Sequence, residues 1–371
     1  MTHESTFNWE NFVRSDLSRL KGFAASKSSG PLKKELETVI KLDTNENLYG
    51  CSPRVQQALA AFSHLNLYPD PEQVELRKLL EAYSGISFEH IVAAAGGEQL
   101  IELILLLLLE RGDKVINCVP TFDVFRLKTE VLGGIVLNVP RDDNFAVDVK
   151  AVKSAIDNKT KVILLATPNN PTGTVIPKED ILDILSTGVP VLVDEAYYEF
   201  CGETVAPLVS QYPNMMVLRT FSKWAGLAGL RIGYGILPPE ITSYLLRIKP
   251  IYGVSAAATV AVRESLADID YLMSNVKTIM GERERLFHEL ERFKFLKPFP
   301  SQANFIFCHV LKGKATELCQ ALRSKGILVG SFNMPRLENS LRITVGKPEH
   351  TDALVKALEE IAGLPQPSVS R

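Results

Sequence analysis

From Ile91 to Ile236 the sequence alternates short, wholly apolar runs with segments of helix length. The runs are IVAAAG, KVINCV, GIVLNVP, KVILLATP, VPVLVDEAY, MMVLRTFS and RIGYGIL. A strand that is apolar at every position has both faces covered, and separators of this length let successive strands lie parallel through helical crossovers. The pattern therefore predicts an α/β fold: a mostly parallel sheet between helices. A long charged helix is expected over 271–293. Beyond it, ANFIFCHV, a helix near 316–324, GILVGSF, NSLRITV and a last helix from Glu349 predict a smaller α+β unit. The expected division is an N-terminal segment 1–44 packed on the small domain or over the functional site, a large domain 45–265 and a small domain 266–371. The stretch STFNWENFVRSDLSRL within that first segment is expected to be helical.

Composition narrows the function classes. Over 371 residues, 41 Lys and Arg nearly balance 43 Asp and Glu, for a formal net charge of −2. No basic footprint exists, so nucleic acid is not an expected partner. The leucine-rich run from Leu100 to Leu109 carries Glu102 and is too short to span a bilayer, so it reads as a buried helix and no membrane partner is expected. Cys51, Cys118, Cys201, Cys308 and Cys319 form no CxxC pair, and the six histidines have no metal-ligand spacing. Reduced thiols, no metal and a cytoplasmic setting are expected.

In open parallel sheets, ligands bind beyond the carboxyl ends of the strands. The residues just past the end of each run are therefore the candidate site. After IVAAA come Gly96, Gly97, Glu98 and Gln99, opening a helix whose N–H groups suit an anion, although glycines also mark ordinary turns. Phe122 comes after the next run, as a stacking platform or as core. Asn170, in TPNNPTG, is a donor on a rigid turn or simply a polar turn residue. Asp194 ends VLV, with Ala196 and Tyr197 close behind; a carboxylate there is expensive to bury unless a cation meets it. Lys223 stands in TFSKWAGLAGLRIGYG, with Ser222 beside it and Arg231 beyond. It is either a lysine that snorkels from a packed segment or an amine desolvated into a nucleophile.

Taken in order, KLDTNENLYG, YPDPE, TPNNPTG, VLVDEAYYEF, RTFSKWAGLAGLRIGYG and SLRITVG resemble the pyridoxal-5′-phosphate enzymes of the large aminotransferase fold, fold type I. Among these the likeness is to histidinol-phosphate aminotransferases, over nearly the whole chain. The resemblance implies a set of roles. Lys223 would hold the cofactor aldehyde as a Schiff base and act as general acid and base. Asp194 would pair with the pyridinium nitrogen, and Asn170 and Tyr197 would donate to the ring's phenolic oxygen. Gly97, Glu98, Ser222 and Arg231 would hold the cofactor phosphate. Phe122 would stack on one ring face, with Ala196 on the other. Arg342 and Asn47 would bind a small-molecule amine or amino-acid substrate. Tyr68 would reach the phosphate of a neighbouring subunit, which implies a homodimer with shared sites.

Three positions depart from that family. Phe122 stands where tyrosine is usual, and Gly253, in IYGVS, where asparagine is. Gly330 comes after Val329 where an arginine usually helps bind the substrate phosphate. A single carboxylate needs only one bidentate arginine, so Gly330 with Arg342 favours an α-amino acid over histidinol phosphate. The alternative is authentic histidinol-phosphate transamination, with Arg336 or another nearby cation supplying the missing charge. The same cofactor also serves elimination and cyclisation of hydroxylated guanidino amino acids, as in capreomycidine synthases. A cofactor-sensing regulator would need a DNA-binding module, for which the roughly forty residues ahead of LDTNENL are expected to be too few.

Overall fold

The computed structural model describes residues 9, 12–17, 20, 22, 39–332 and 334–363. Its strands form two sheets. The first contains β2 (Ile91–Ala94), β3 (Lys114–Val119), β4 (Ile135–Pro140), β5 (Thr160–Ala166), β6 (Val191–Asp194), β7 (Met215–Thr220) and β8 (Gly233–Ile236), in the order β2-β8-β7-β6-β5-β3-β4. All seven correspond to the seven apolar runs of the sequence. Only β8 is antiparallel to its neighbours, β2 and β7. The second sheet contains β1 (Ile40–Leu42), β9 (Leu296–Phe299), β10 (Phe305–Val310), β11 (Ile327–Ser331) and β12 (Ser340–Thr344), in the order β1-β11-β12-β10-β9.

The apolar runs are explained by two cores, one on each face of the first sheet. Along β5, Val162, Leu164 and Ala166 enter one core and Ile163 and Leu165 the other. The helix Gly96–Leu108 seals the first of these with Leu100, Ile101, Leu103, Ile104 and Leu105. The second core runs on without a break into the other sheet, taking in Phe305 and Ile343.

Two strands lie outside the sequence expectations. β1 is only three residues long, too short to show a period, and pairs in parallel with β11. β9 contains Pro298, which removes a ladder donor and hides the strand in sequence; it is tolerated because β9 lies at the sheet edge. The helix expected within 5–20 falls partly outside the described residues, and residues 12–17 there form turns. The long charged helix spans Ile269–Glu291 and the last helix Pro348–Ala362. Among the described residues no helix is long and apolar enough to cross a membrane.

Candidate active site

Strands β2, β5, β6 and β7 run the same way and so end on one side of the sheet, where Lys223 sits three residues past the end of β7. Its Nζ donates to the Thr44 carbonyl at 3.3 Å and lies 5.8 Å from the centre of the Tyr197 ring. Burial pushes its amine down to about 8, and the positive charges of Arg342, Arg231 and Lys41 push the same way, against Glu46. A buried amine whose pKa is lowered in this way favours the reactive reading of Lys223 over the snorkelling one. Asp194 closes β6, 7% exposed, and burial pushes its carboxyl up to about 7. Its Oδ1 accepts one hydrogen bond, from the Ala196 N–H at 2.9 Å. Among the described residues no ion pair meets this carboxylate, although the Lys223 charge acts on it against burial, and a ring nitrogen that carries a proton would supply a direct partner.

The helix Gly96–Leu108 opens beside Arg231. A Cβ at Gly96, whose φ is +84°, would stand 2.6 Å from Arg231 Nη2. A Cβ on Gly233 would stand 2.6 Å from the Gly97 nitrogen, so β8 and the helix start touch backbone to backbone. Ser222 Oγ lies 3.0 Å from the Thr220 hydroxyl at the end of β7. Glu98 turns its carboxylate outward to Lys128 at 3.2 Å, leaving its backbone N–H as what it offers here. Among the described residues Arg231 forms no ion pair and makes one long hydrogen bond, to the Ala228 carbonyl at 3.4 Å. Helix N–H groups, a hydroxyl and a guanidinium without a carboxylate partner make a donor set suited to a phosphate. These groups and the Asp194 and Lys223 pair fit pyridoxal phosphate.

The second sheet contributes Arg342 from β12. Its Nη1 donates to Asn170 Oδ1 at 2.7 Å and its Nη2 to the Asp43 carbonyl at 2.6 Å, while Nε is buried with no hydrogen-bond partner. With the Asn170 oxygen engaged, its NH2 group is left to donate into the site. Asn47, expected at the substrate, is engaged with the protein: its Nδ2 donates to the Trp224 carbonyl at 2.9 Å and its Oδ1 accepts from the Tyr49 N–H at 3.0 Å. It fixes the loop that carries Lys223. Phe122 is half-buried, edge-on to Phe125 with ring centres 6.0 Å apart. Tyr68 is not brought to these residues; it is 79% exposed and stacks on Tyr252 at 4.2 Å.

The three departures have definite places in the fold. Phe122 lies at the end of the β3 run, and a Cβ on Gly253 would lie 3.5 Å from Gln99 Oε1, at the helix start. A Cβ on Gly330 would lie 3.3 Å from the carbonyls of Asp43 and Arg342 and 3.7 Å from Arg342 Nη2. Arg336 is occupied elsewhere: it donates to the carbonyls of Arg141 and Asp142, the latter at 2.9 Å, and pairs with Asp143 at 3.4 Å. It is not the spare cation that the sequence suggests. Lys41 is nearer the site, because its Nζ donates to the hydroxyl of Thr44, whose carbonyl receives Lys223. Lys41, Thr44 and Asn45 lie within KLDTNENLYG, which helps to carry the resemblance, but the sequence gives none of them a role of its own.

The model for the aminotransferase class I and II family matches residues 37–358. The chain belongs to this family. It is a pyridoxal-phosphate-dependent aminotransferase of fold type I, an enzyme that acts on small amino-acid-type substrates. A histidinol-phosphate aminotransferase of Dehalococcoides mccartyi is 52% identical over 96% of this chain and 99% of the relative. The chloroplastic histidinol-phosphate aminotransferase of Nicotiana tabacum is 43% identical over 88% of this chain and 80% of the relative. The crystal structure of the Sinorhizobium meliloti histidinol-phosphate aminotransferase in complex with pyridoxal-5′-phosphate matches with a TM-score of 0.81 and 27% identity, over 93% of this chain and 98% of that one. These likenesses favour transamination over the cyclisation and regulator readings of the aminotransferase chain. They also favour histidinol phosphate over the α-amino acid suggested by Gly330.

Proposed function

We propose that this aminotransferase transfers the amino group of histidinol phosphate to a 2-oxo acid. The observation that carries the reading is the 52% identity to enzymes of that name along almost the whole chain. The site's geometry supports it. Gly330 takes one guanidinium away and leaves no side chain beside Arg342, whose Nη1 and Nη2 rest on Asn170 Oδ1 and the Asp43 carbonyl. Lys41 is a second cation near this face; Glu46 at 2.7 Å and Asp43 at 3.5 Å offset its charge, so it would serve a substrate by exchanging the half-exposed Glu46 for it. Arg342 and Lys41 together would share the charge of a phosphate monoester.

When bound, the cofactor takes up an amine through its aldehyde and spreads over its ring the electron pair left at the neighbouring carbon. The chain's residues do the rest. Lys223 would hold the cofactor covalently; once the substrate amine replaces it, its Nζ would carry the proton off the substrate's amine-bearing carbon. Asp194 would keep the ring nitrogen protonated. Tyr197 and Asn170 would donate to the phenolic oxygen, and Phe122 and Ala196 would cover the ring faces. The N–H groups of Gly97 and Glu98, with Ser222 and Arg231, would hold the phosphate. We further infer a homodimer in which Tyr68 reaches the partner's cofactor phosphate; the exposed side chains of Leu65, Leu67, Tyr68, Ile251 and Tyr252 support such an interface. The division at 45 and 265 is retained as a proposal, with β1 joining the small domain's sheet. A cytoplasmic setting fits five free thiols.

The test is turnover of histidinol phosphate with 2-oxoglutarate by the unmodified protein, then mass spectrometry of the products. A keto product formed more efficiently than from any α-amino acid in a panel is the expected result. Turnover confined to α-amino acids, or loss of water with the amine retained, would overturn the proposal.

A further inference from the structure

Asn45 holds a left-handed backbone conformation, φ +55°, which costs a non-glycine residue energy unless its surroundings enforce it. Here they do. Its N–H donates to Thr344 Oγ1 at 2.9 Å, and its carbonyl accepts from Asn304 Nδ2 at 3.1 Å. The Thr344 hydroxyl donates in turn to Asn45 Oδ1 at 3.3 Å. Thr344 closes β12 and Asn304 leads into β10, so the second sheet holds this residue from two sides. Because Oδ1 faces Thr344, the amide NH2 faces the other way, and Nδ2 donates to the Tyr197 hydroxyl at 2.9 Å. Both residues are buried.

A phenol has one proton to give. With its oxygen already accepting from Asn45, the proton of Tyr197 is left for another acceptor, and a donated bond makes it more acidic. The ring cannot turn away, because Phe305 packs edge-on against it with centres 5.2 Å apart. We propose that Asn45 is a positioning residue that aims the Tyr197 proton at the cofactor's phenolic oxygen and strengthens that bond. The proposal rests on the reading that Tyr197 donates to that oxygen. It also means that the second sheet takes part in tuning the cofactor held by the first.

The test is the pH titration of the visible absorbance band of the cofactor-loaded protein, without substrate. Losing the donor should favour the protonated form, so Tyr197→Phe should raise the apparent pKa. Asn45→Ala should raise it in the same direction, by about a threefold to tenfold change in proton affinity. Asn45→Asp, which tolerates the left-handed conformation but when ionised accepts the Tyr197 proton instead of donating, should raise it at least as far as Asn45→Ala, separating loss of the bond from loss of the fold. In the Tyr197→Phe background, Asn45→Ala should add nothing. An unmoved titration in Tyr197→Phe would overturn the Tyr197 role itself. A shift in Tyr197→Phe with none in Asn45→Ala, or an Asn45→Ala effect that persists without the tyrosine hydroxyl, would overturn the Asn45 role alone.

Discussion

Ionising Asp194 costs the cofactor-free protein stability. Its carboxyl moves from an ordinary 3.8 to about 7, chiefly because it is buried. Between those values the folded chain keeps a proton that the unfolded chain has released, so this contribution to stability declines as pH rises from about 4 to about 7. Glu199, moved from 4.5 to about 8 by burial, tilts the same way, so the test is a difference between variants. In urea melts without cofactor, Asp194→Asn should fall less than the unmodified protein between pH 4 and pH 8. At pH 8 it should be the more stable, by at most about 4 kcal/mol. With cofactor bound the cost reverses: Asp194→Asn should slow turnover on the order of 10²-fold while altering cofactor affinity far less. For Lys223, borohydride should trap the cofactor on the peptide that carries it, and Lys223→Ala should lose both adduct and turnover. An adduct on another lysine would refute the assignment. These two residues were legible in the sequence because a charge inside an apolar run is costly and needs a reason. The parts played by Asn45 and Lys41 were not, because KLDTNENLYG marks the family while a polar residue among polar neighbours shows no role until the fold brings it to a partner.

The strand ends are held by contacts between elements. Glu195, directly after β6, pairs with Arg219 of β7 at 3.0 Å with both side chains buried, and the Arg219 guanidinium lies 3.7 Å over the Tyr198 ring. Arg219→Met should destabilise the protein by about 3–5 kcal/mol in chemical denaturation, because it strands the Glu195 carboxylate. At the other edge of the site, a Cβ on Gly233 would also lie 2.9 Å from the Gly96 carbonyl carbon and 3.1 Å from the Arg219 carbonyl oxygen, and backbone cannot step aside. Gly233→Ala should push the helix start off β8 and weaken pyridoxal phosphate binding at least about tenfold by titration, through lost charge-assisted bonds. The parallel strands could be read in advance because both their faces are apolar. The reversed direction of β8 could not, since hydrophobicity says where a strand is buried and not which way it runs. β1 and β9 were hidden by shortness and by proline.

At the scale of the whole molecule, the exposed stack of Tyr68 on Tyr252 should lie inside a dimer. Sedimentation should report two copies. Mixing Tyr68→Phe with Lys223→Ala should restore activity through hybrids in which one site carries neither lesion. A fully active monomer would contradict the shared site. The pairing of β1 with β11 bears on how each copy is made. Ile40 waits for Ile327, roughly 290 residues further along the chain. A ribosome adding about 5–20 residues per second reaches that partner only after roughly 15–60 s. Throughout that interval the segment 43–47, which will later brace Tyr197 and the Lys223 loop, has no sheet to lean on. The nascent large domain can complete its own strands and still lack a finished catalytic centre until β11 and β12 have been translated.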